Sequence, residues 1–238
     1  MTESLEESAL GGLVRPGSRV ALGDGCGTPP GPHTPRWVGE VARGRDDGLV
    51  LGWMPLQAPE LDATAFADVR VLMGGPGTRA MVEDGSARWV PARLSAVPAL
   101  LTGPLRPDLL VATVVRRQDG WHFGTEVAHL RGLVAAGVPV AAVVSSASPC
   151  ADAGPPLPDT AITVVGETDE PPGEIVTTTP TEIDATIARN AARLVPEGDR
   201  ARAAAGRTGG GLPRRDPAAP RMGRRGDGEP SPLGRSPV

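Results

Sequence analysis

Residues 86–172 constrain the fold of this chain most strongly, because they alternate short, continuously apolar runs with loops. A buried strand is predicted at residues 108–115 and a second at 138–144, with the loop Phe123-Gly124-Thr125 and a helix between them. Continuous apolar runs, unlike alternating ones, indicate strands that are covered on both faces. The segment therefore predicts a strand–loop–helix–strand unit within an α/β protein.

Further apolar runs extend this pattern to both sides of the segment. We predict strands at residues 19–22, 49–54, 69–73 and 162–165. Glycine-rich loops follow the first and third of these runs, and a short helix is predicted after the loop at residues 73–77. The fold class is therefore predicted to be α/β, with a mainly parallel sheet flanked by helices.

A helix is predicted at residues 180–194. Thr179 is suited to cap it, Pro180 fits the first helical position, and Glu182 completes the spacing of a capping box. The predicted apolar face consists of Ile183, Ile187, Ala191 and Leu194. This helix is expected to pack on the sheet or to lead into a second domain.

Three regions are predicted along the chain. Residues 1–13 form a flexible N-terminus, residues 14–198 form the α/β domain, and residues 199–238 form a disordered tail. The tail holds nine arginines against four acidic residues, and its Arg/Gly/Pro/Ala composition is what GC-rich codons produce in any frame. We interpret it as out of frame, with an ordinary disordered tail as the alternative.

The composition argues against several classes of protein. No run of about 18 apolar residues is present and the N-terminus lacks a secretion signal, so a cytoplasmic protein without a membrane partner is expected. Cys26 and Cys150 are interpreted as reduced thiols, and His33, His122 and His129 show no metal-ligand spacing. The basic tail is too diluted by Gly, Pro and Ala to indicate nucleic-acid binding.

Several spaced motifs occur together in residues 14–198. A P-x-x-x-S-x-x-P segment holds Pro91, Ser95 and Pro98, and it is followed by a D-x-x-[LIV] strand and a G-[TS] loop. Upstream, a strand runs into a G-x-x-x-G-T-P loop. Together these motifs resemble the amino-terminal half of the acetyl-CoA hydrolase and 4-hydroxybutyrate CoA-transferase family.

The resemblance implies a reaction. In that family two similar α/β domains bind an acyl-CoA between them, and CoA moves to a carboxylic acid or water through a glutamyl-CoA thioester. The nucleophilic glutamate lies in the second domain, in an H-[ST]-E-[ML] motif that this chain lacks. We therefore expect a truncated, frameshifted chain that is inactive alone and has no catalytic residue, with Glu126 a weak candidate.

The resemblance also implies a binding site for the acyl-CoA. Its predicted residues are Gly23, Gly25, Gly27, Thr28, Ser95, Pro98, Gly124 and Thr125. Coenzyme A is a substrate here, so no cofactor and no metal are expected. The expected partners are acyl-CoA and small carboxylates, with a homo-oligomer as a possible assembly.

Three alternatives remain open. The chain could be a non-catalytic acyl-CoA-binding remnant, or a nucleotide-binding Rossmann-type domain, although Gly23, Gly25 and Gly27 form G-x-G-x-G instead of G-x-G-x-x-G. The glycine loops could also do no more than turn the chain. The prolines at 29, 30, 32 and 35 predict that no ordinary helix follows the first loop, as a pair of compensating frameshifts would explain.

Overall fold

Among the described residues, eight strands form one sheet that is parallel except at a single hairpin. The computed structural model describes residues 7–28, 33–174 and 179–195. The strands are β1 (Arg19–Leu22), β2 (Gly48–Leu51), β3 (Asp68–Val71), β4 (Arg88–Trp89), β5 (Leu109–Arg117), β6 (Gly120–Phe123), β7 (Val140–Ser145) and β8 (Ile162–Thr168). Their order is β4-β3-β2-β1-β5-β7-β8, and β6 pairs antiparallel with β5. The predicted α/β class with a mainly parallel sheet is confirmed.

Helices cover both faces of this sheet. The helices of the described residues are α1 (Glu7–Leu13), α2 (His33–Ala42), α3 (Arg79–Glu83), α4 (Val97–Thr102), α5 (Leu130–Ala135) and α6 (Glu182–Arg193), and α1, α2, α4 and α5 supply buried apolar contacts to the sheet. Leu10 of α1 and Val38 of α2 belong to the apolar cluster on one face, whereas Val97 of α4 and Leu133 of α5 belong to the cluster on the other. Successive strand residues point to opposite faces, so strands covered on both sides are apolar throughout.

The winding direction of the sheet reverses between β1 and β5. From β1 the chain adds β2, β3 and β4 in turn on one side, and it then returns to add β5, β7 and β8 on the other side. In doubly wound sheets, the crevice at the carboxyl ends of the two strands flanking this reversal is the usual place for a ligand. The loops after β1 and β5 therefore border this crevice.

The beginning of the described chain differs from the flexible N-terminus predicted for residues 1–13. Residues 7–13 form α1, and Leu10 is fully buried in the core. A seven-residue helix has little stability of its own, so it depends on packing rather than on propensity. The acidic residues before Leu10 and the two glycines after it conceal that contact.

A helix does follow the first glycine loop, so the prediction that the prolines forbid one is wrong. α2 begins at His33 and contains only Pro35 of the four. The first four N–H groups of a helix have no partner within it, so proline in the first turn costs no helical hydrogen bond. Residues 29–32, which hold the other three prolines, lie outside the described residues.

The last helix is capped two residues later than predicted. Thr181, not Thr179, is the N-cap of α6, because the Asp184 N–H donates to Thr181 Oγ1 at 3.2 Å and the Thr181 N–H donates to Asp184 Oδ2 at 2.8 Å. The predicted apolar face is open to solvent: Ile183 is 72% exposed and Leu194 is 84% exposed. The sequence satisfies the cap spacing at both threonines, and this ambiguity caused the error.

We expect Thr181→Ala to destabilise α6 by about 1 kcal/mol, because a lost N-cap leaves helix N–H groups unpaired. The measurement is hydrogen exchange of the amides in the first turn. Thr179→Ala is the matched control and should leave that exchange unchanged. Faster exchange in the control and not in Thr181→Ala would contradict the cap assignment.

The chain divides into two compact units, Met1–Ile175 and Val176–Val238. The sheet and α1–α5 lie in the first unit, whereas the predicted domain continued to residue 198. The predicted tail at residues 199–238 lies outside the described residues. In the ranges that the structure describes, no helix is both long and apolar enough to span a bilayer.

Candidate functional site

The first glycine loop, residues 23–28, leaves the carboxyl end of β1 at the reversal of the sheet. The Gly23 N–H donates to the carbonyl of Val111 on β5 at 2.8 Å, so the loop starts as a continuation of the ladder. Gly25 has φ +57° and opens a short 3-10 turn, Gly25–Gly27. Thr28 closes the loop, because its Oγ1 donates to the Gly23 carbonyl at 2.7 Å.

The hairpin partner of β5 carries the second glycine loop, residues 123–125, to the same place. β5 pairs with β1 through its first residues, Leu109 to Val111, and with β6 through its last, Val114 to Arg117. Because β6 runs antiparallel to β5, the chain at its last residue, Phe123, runs back toward the level of the carboxyl end of β1. The chain therefore returns to the first glycine loop.

Side chains join the two loops. Thr125 Oγ1 donates to the carbonyl of Cys26 at 3.1 Å. A Cβ on Gly25 would lie 2.7 Å from Glu126 Oε1, so the carboxyl group rests directly on the first loop. The structure thus brings together Gly23, Gly25, Gly27, Thr28, Gly124, Thr125 and Glu126 of the predicted residues. We call residues 23–28 and 123–126 the glycine-loop site.

The buried carboxylate of Asp24 connects this site to the end of β2. Asp24 is only 5% exposed, and it accepts a hydrogen bond from the backbone N–H of Trp53, two residues beyond β2. The Gly25 N–H donates to the Trp53 carbonyl at 2.8 Å. His129 Nδ1, just before α5, lies 4.0 Å from Asp24 Oδ2. One carboxylate on the loop after β1 therefore contacts the end of β2 and the start of α5.

The titrating groups of the site influence one another. Burial raises the pKa of Asp24, and the nearby His129 and two backbone N–H groups oppose that shift. Burial, followed by the negative charge of Asp24, raises the pKa of Glu126. Burial also lowers the pKa of His129, against the attraction of Asp24. The site therefore holds two carboxyl groups that bind protons more readily than exposed ones do.

Ser95 and Pro98 are not shown to join this site. Ser95 lies in a 3-10 turn after the edge strand β4, Pro98 lies in the first turn of α4, and both are exposed. In the described part of the chain, no hydrogen bond connects either one with residues 23–28 or 123–126. Their convergence with the glycine loops stays a prediction.

Sequence reasoning missed Asp24, Gly52 and His129. A Cβ on Gly52 would lie 2.2 Å from Asp24 Oδ1, so only glycine fits beside the carboxylate. Asp24 lies inside the G-x-x-x-G-T-P loop, and this position was the one available signal. No three His, Cys, Asp or Glu residues in the described ranges are arranged to hold a metal ion.

We expect Cys26 to react with iodoacetamide at pH 8 more slowly than Cys150, because the thiolate is the reactive form. Burial, with a contribution from the charge of Glu126, raises the pKa of Cys26, whereas Cys150 is exposed. Mass spectrometry of alkylated peptides gives both rates from one sample. Glu126→Gln should accelerate Cys26 alone; equal rates in the wild-type chain would contradict the described environment.

Comparison with known proteins supports the fold but not a family at the sequence level. No family model matches the sequence, and no curated protein matches it. The structure resembles that of RipA from Yersinia pestis, with a TM-score of 0.65 and 18% identity over 82% of this chain. It also resembles a 4-hydroxybutyrate CoA-transferase from Porphyromonas gingivalis, with a TM-score of 0.51 and 18% identity over 81% of this chain. The chain has a CoA-transferase-like fold.

The alignment covers only part of each of these proteins. It spans 48% of the RipA chain and 45% of the 4-hydroxybutyrate CoA-transferase chain. This chain therefore corresponds to about half the length of the solved structures that it matches.

Proposed function

We propose that this chain supplies one half of an acyl-CoA site and acts in CoA transfer to a carboxylate or in acyl-CoA hydrolysis. The observation that carries the proposal is the hydrogen bond between Thr125 and Cys26, which joins two glycine loops at the reversal of a CoA-transferase-like sheet. Coenzyme A enters as a substrate, and small carboxylates are the proposed acceptors.

The thioester chemistry of the family that this sequence resembles suits such a site. A carboxylate attacks the thioester carbonyl, the C–S bond breaks, and the CoA thiolate leaves an acyl anhydride. The thiolate then attacks the glutamyl carbonyl and releases the acyl carboxylate. Both steps develop an oxyanion, which backbone N–H groups stabilise, and glycine allows the backbone to approach closely.

Glu126 is not proposed as the nucleophile. Its carboxyl group contacts Gly25 beside Asp24. The negative charge of Asp24 would repel the CoA thiolate that must attack a glutamyl carbonyl at this position. We propose that the attacking carboxylate comes from the second domain that the resemblance implies. Borohydride trapping with acetyl-CoA, read by mass spectrometry, should leave Glu126 unmodified.

Calorimetry with acetyl-CoA tests the proposed site. We expect the full chain to bind acetyl-CoA saturably, and Thr125→Val to weaken binding by about threefold to tenfold, because one loop-joining hydrogen bond is lost. Thr102→Val is the matched control, since that hydroxyl bonds the Pro98 carbonyl within α4. No binding by the wild-type chain, or equal weakening in both variants, would overturn the proposal.

The alternative is a non-catalytic acyl-CoA-binding module, because two glycine loops joined by Thr125 and Cys26 could bind acetyl-CoA without turnover. Both functions require acetyl-CoA binding. They differ in turnover: a module binds acetyl-CoA and exchanges no label between acetyl-CoA and acetate, even with the rest of the protein supplied.

A further inference from the structure

The backbone of Trp53 makes two hydrogen bonds with the first glycine loop, donating one and accepting the other. Asp24 accepts from the Trp53 N–H, and the Trp53 carbonyl accepts from the Gly25 N–H at 2.8 Å. Hydrogen bonds to a charged acceptor are stronger than neutral ones, particularly away from water. Asp24 therefore determines where the loop sits relative to the end of β2.

The Asp24 carboxylate has little room to move. On one side Gly52 leaves no space even for a Cβ, which would lie 2.2 Å from Oδ1. On the other side His129 Nδ1 lies 4.0 Å from Oδ2, and the side chains of both residues are at most 10% exposed. The imidazole and Gly52 thus both lie against the carboxylate and exclude most solvent from it.

Few titratable groups lie near the pair formed by Asp24 and His129 in the described residues. The titratable groups that face it are Glu126, between the second loop and α5, and Cys26, on the first loop itself. In the described part of the chain, the ion-pair partner of Asp24 is His129, and Glu126 has none within 4.0 Å. In the residues that the structure describes, no arginine lies within ion-pair distance of Asp24 or Glu126 to compensate a change in charge.

We propose that Asp24 and His129 are positioning residues of the glycine-loop site: the ionised carboxylate holds residues 25–28 against the end of β2, His129 holds the carboxylate, and proton uptake by the pair loosens the loop. The nature of the ligand rests on the proposed function, whereas the positioning itself does not. Burial raises the pKa of Asp24, so the carboxylate takes up a proton at a higher pH than an exposed aspartate does.

Amide hydrogen exchange of Trp53 in the full chain tests this positioning without any ligand. Protection, corrected for intrinsic rates, should fall as the pH is lowered from about 7.5, because protonation of Asp24 removes the charged acceptor. The raised pKa of Asp24 moves that loss to a higher pH than for an exposed aspartate. Asp24→Ala should lower protection at neutral pH by about tenfold, the loss of one charge-assisted bond. Asp24→Asn keeps the shape and a neutral acceptor, so its smaller protection should no longer depend on pH.

Two further variants separate a role in positioning from a general loss of structure. His129→Gln removes the group that lowers the pKa of Asp24, so protection should already fall at a higher pH. In Asp24→Asn, the NMR titration midpoint of His129 should move downward, because the attraction of the anion is gone. Asp119→Asn is the matched control: it removes a carboxylate 3.0 Å from another histidine, His122, and should alter neither measurement.

Each outcome decides one proposal. An Asp24→Asn chain that keeps the wild-type pH profile at Trp53, or the wild-type titration of His129, overturns the positioning role. If these profiles change as expected but the wild-type chain binds no acetyl-CoA, the positioning role stands and the proposed function fails. If acetyl-CoA binds and Asp24→Asn and His129→Gln bind it as tightly as the wild type, the positioning role is wrong.

Discussion

Replacing Phe123 by alanine is expected to destabilise the protein by about 3–5 kcal/mol, the usual cost of removing a fully buried phenylalanine. Phe123 is 0% exposed and is among the largest buried side chains. It lies in the cluster that includes Leu130 and Leu133 of α5, and its backbone pairs with Val114 of β5. The cavity would open directly beneath the second glycine loop. Urea denaturation measures the loss.

Leu94→Ala provides the comparison for that variant. Leu94 is 66% exposed, so its truncation should change stability by at most about 0.5 kcal/mol. A change in Phe123→Ala no larger than in Leu94→Ala would show that the hairpin does not pack on α5. Acetyl-CoA binding should also weaken in Phe123→Ala while the remaining folded protein is still measurable.

Gly52→Ala is expected to disrupt the glycine-loop site. The new methyl group would lie 2.2 Å from Asp24 Oδ1 and 3.5 Å from His129 Cε1, so the carboxylate must leave its place beside the Trp53 N–H. Inserting a methyl into such a contact typically costs about 1–3 kcal/mol. We expect a lower melting temperature and acetyl-CoA binding weakened by about tenfold, as loss of one charge-assisted bond implies.

Gly74→Ala is the matched control for this change. Gly74 follows β3 at the same edge of the sheet, and an added Cβ there meets nothing within 4 Å. It should therefore leave both measurements near the wild-type values. Gly52→Ala would contradict the described geometry if it melted and bound acetyl-CoA as the control does.

The central strands were predictable from sequence because they are buried on both faces. The runs around Leu110 and Val140 are apolar without interruption, and both strands occur where predicted, with ends displaced by one or two residues. β1 matches its predicted bounds, residues 19–22. For such strands, burial rather than local propensity decides the pattern, and hydrophobic runs report burial directly.

The hairpin was harder to predict because its pairing involves polar residues. The apolar run ends at Val115, but β5 continues through Arg116 and Arg117 and pairs there with β6. The Arg116 guanidinium lies 4.4 Å from the centre of the Trp121 ring, a contact that replaces apolar packing on this exposed end. Four residues of mixed character, Gly120–Phe123, show no strand pattern.

The candidate site was predicted only where its residues lie within one motif. The glycine loops were identified as sites, but Asp24 and His129 are far apart in sequence, and only strand order and register bring them within 4.0 Å. Gly52 looks like any other strand-end glycine until the carboxylate beside it is seen. A contact created by strand order leaves no local spacing in the sequence.

The strand order divides the sheet into two successive stretches of chain. β1–β4 pair with their sequence neighbours, β5–β8 pair among themselves, and the pairing of Val20 with Leu109 joins the two stretches. Closing a loop of about 90 residues costs about 4 kcal/mol of chain entropy, whereas neighbouring strands close much shorter loops. During folding, this junction should therefore form after each stretch has begun to assemble, and the glycine-loop site can take shape only in that late step.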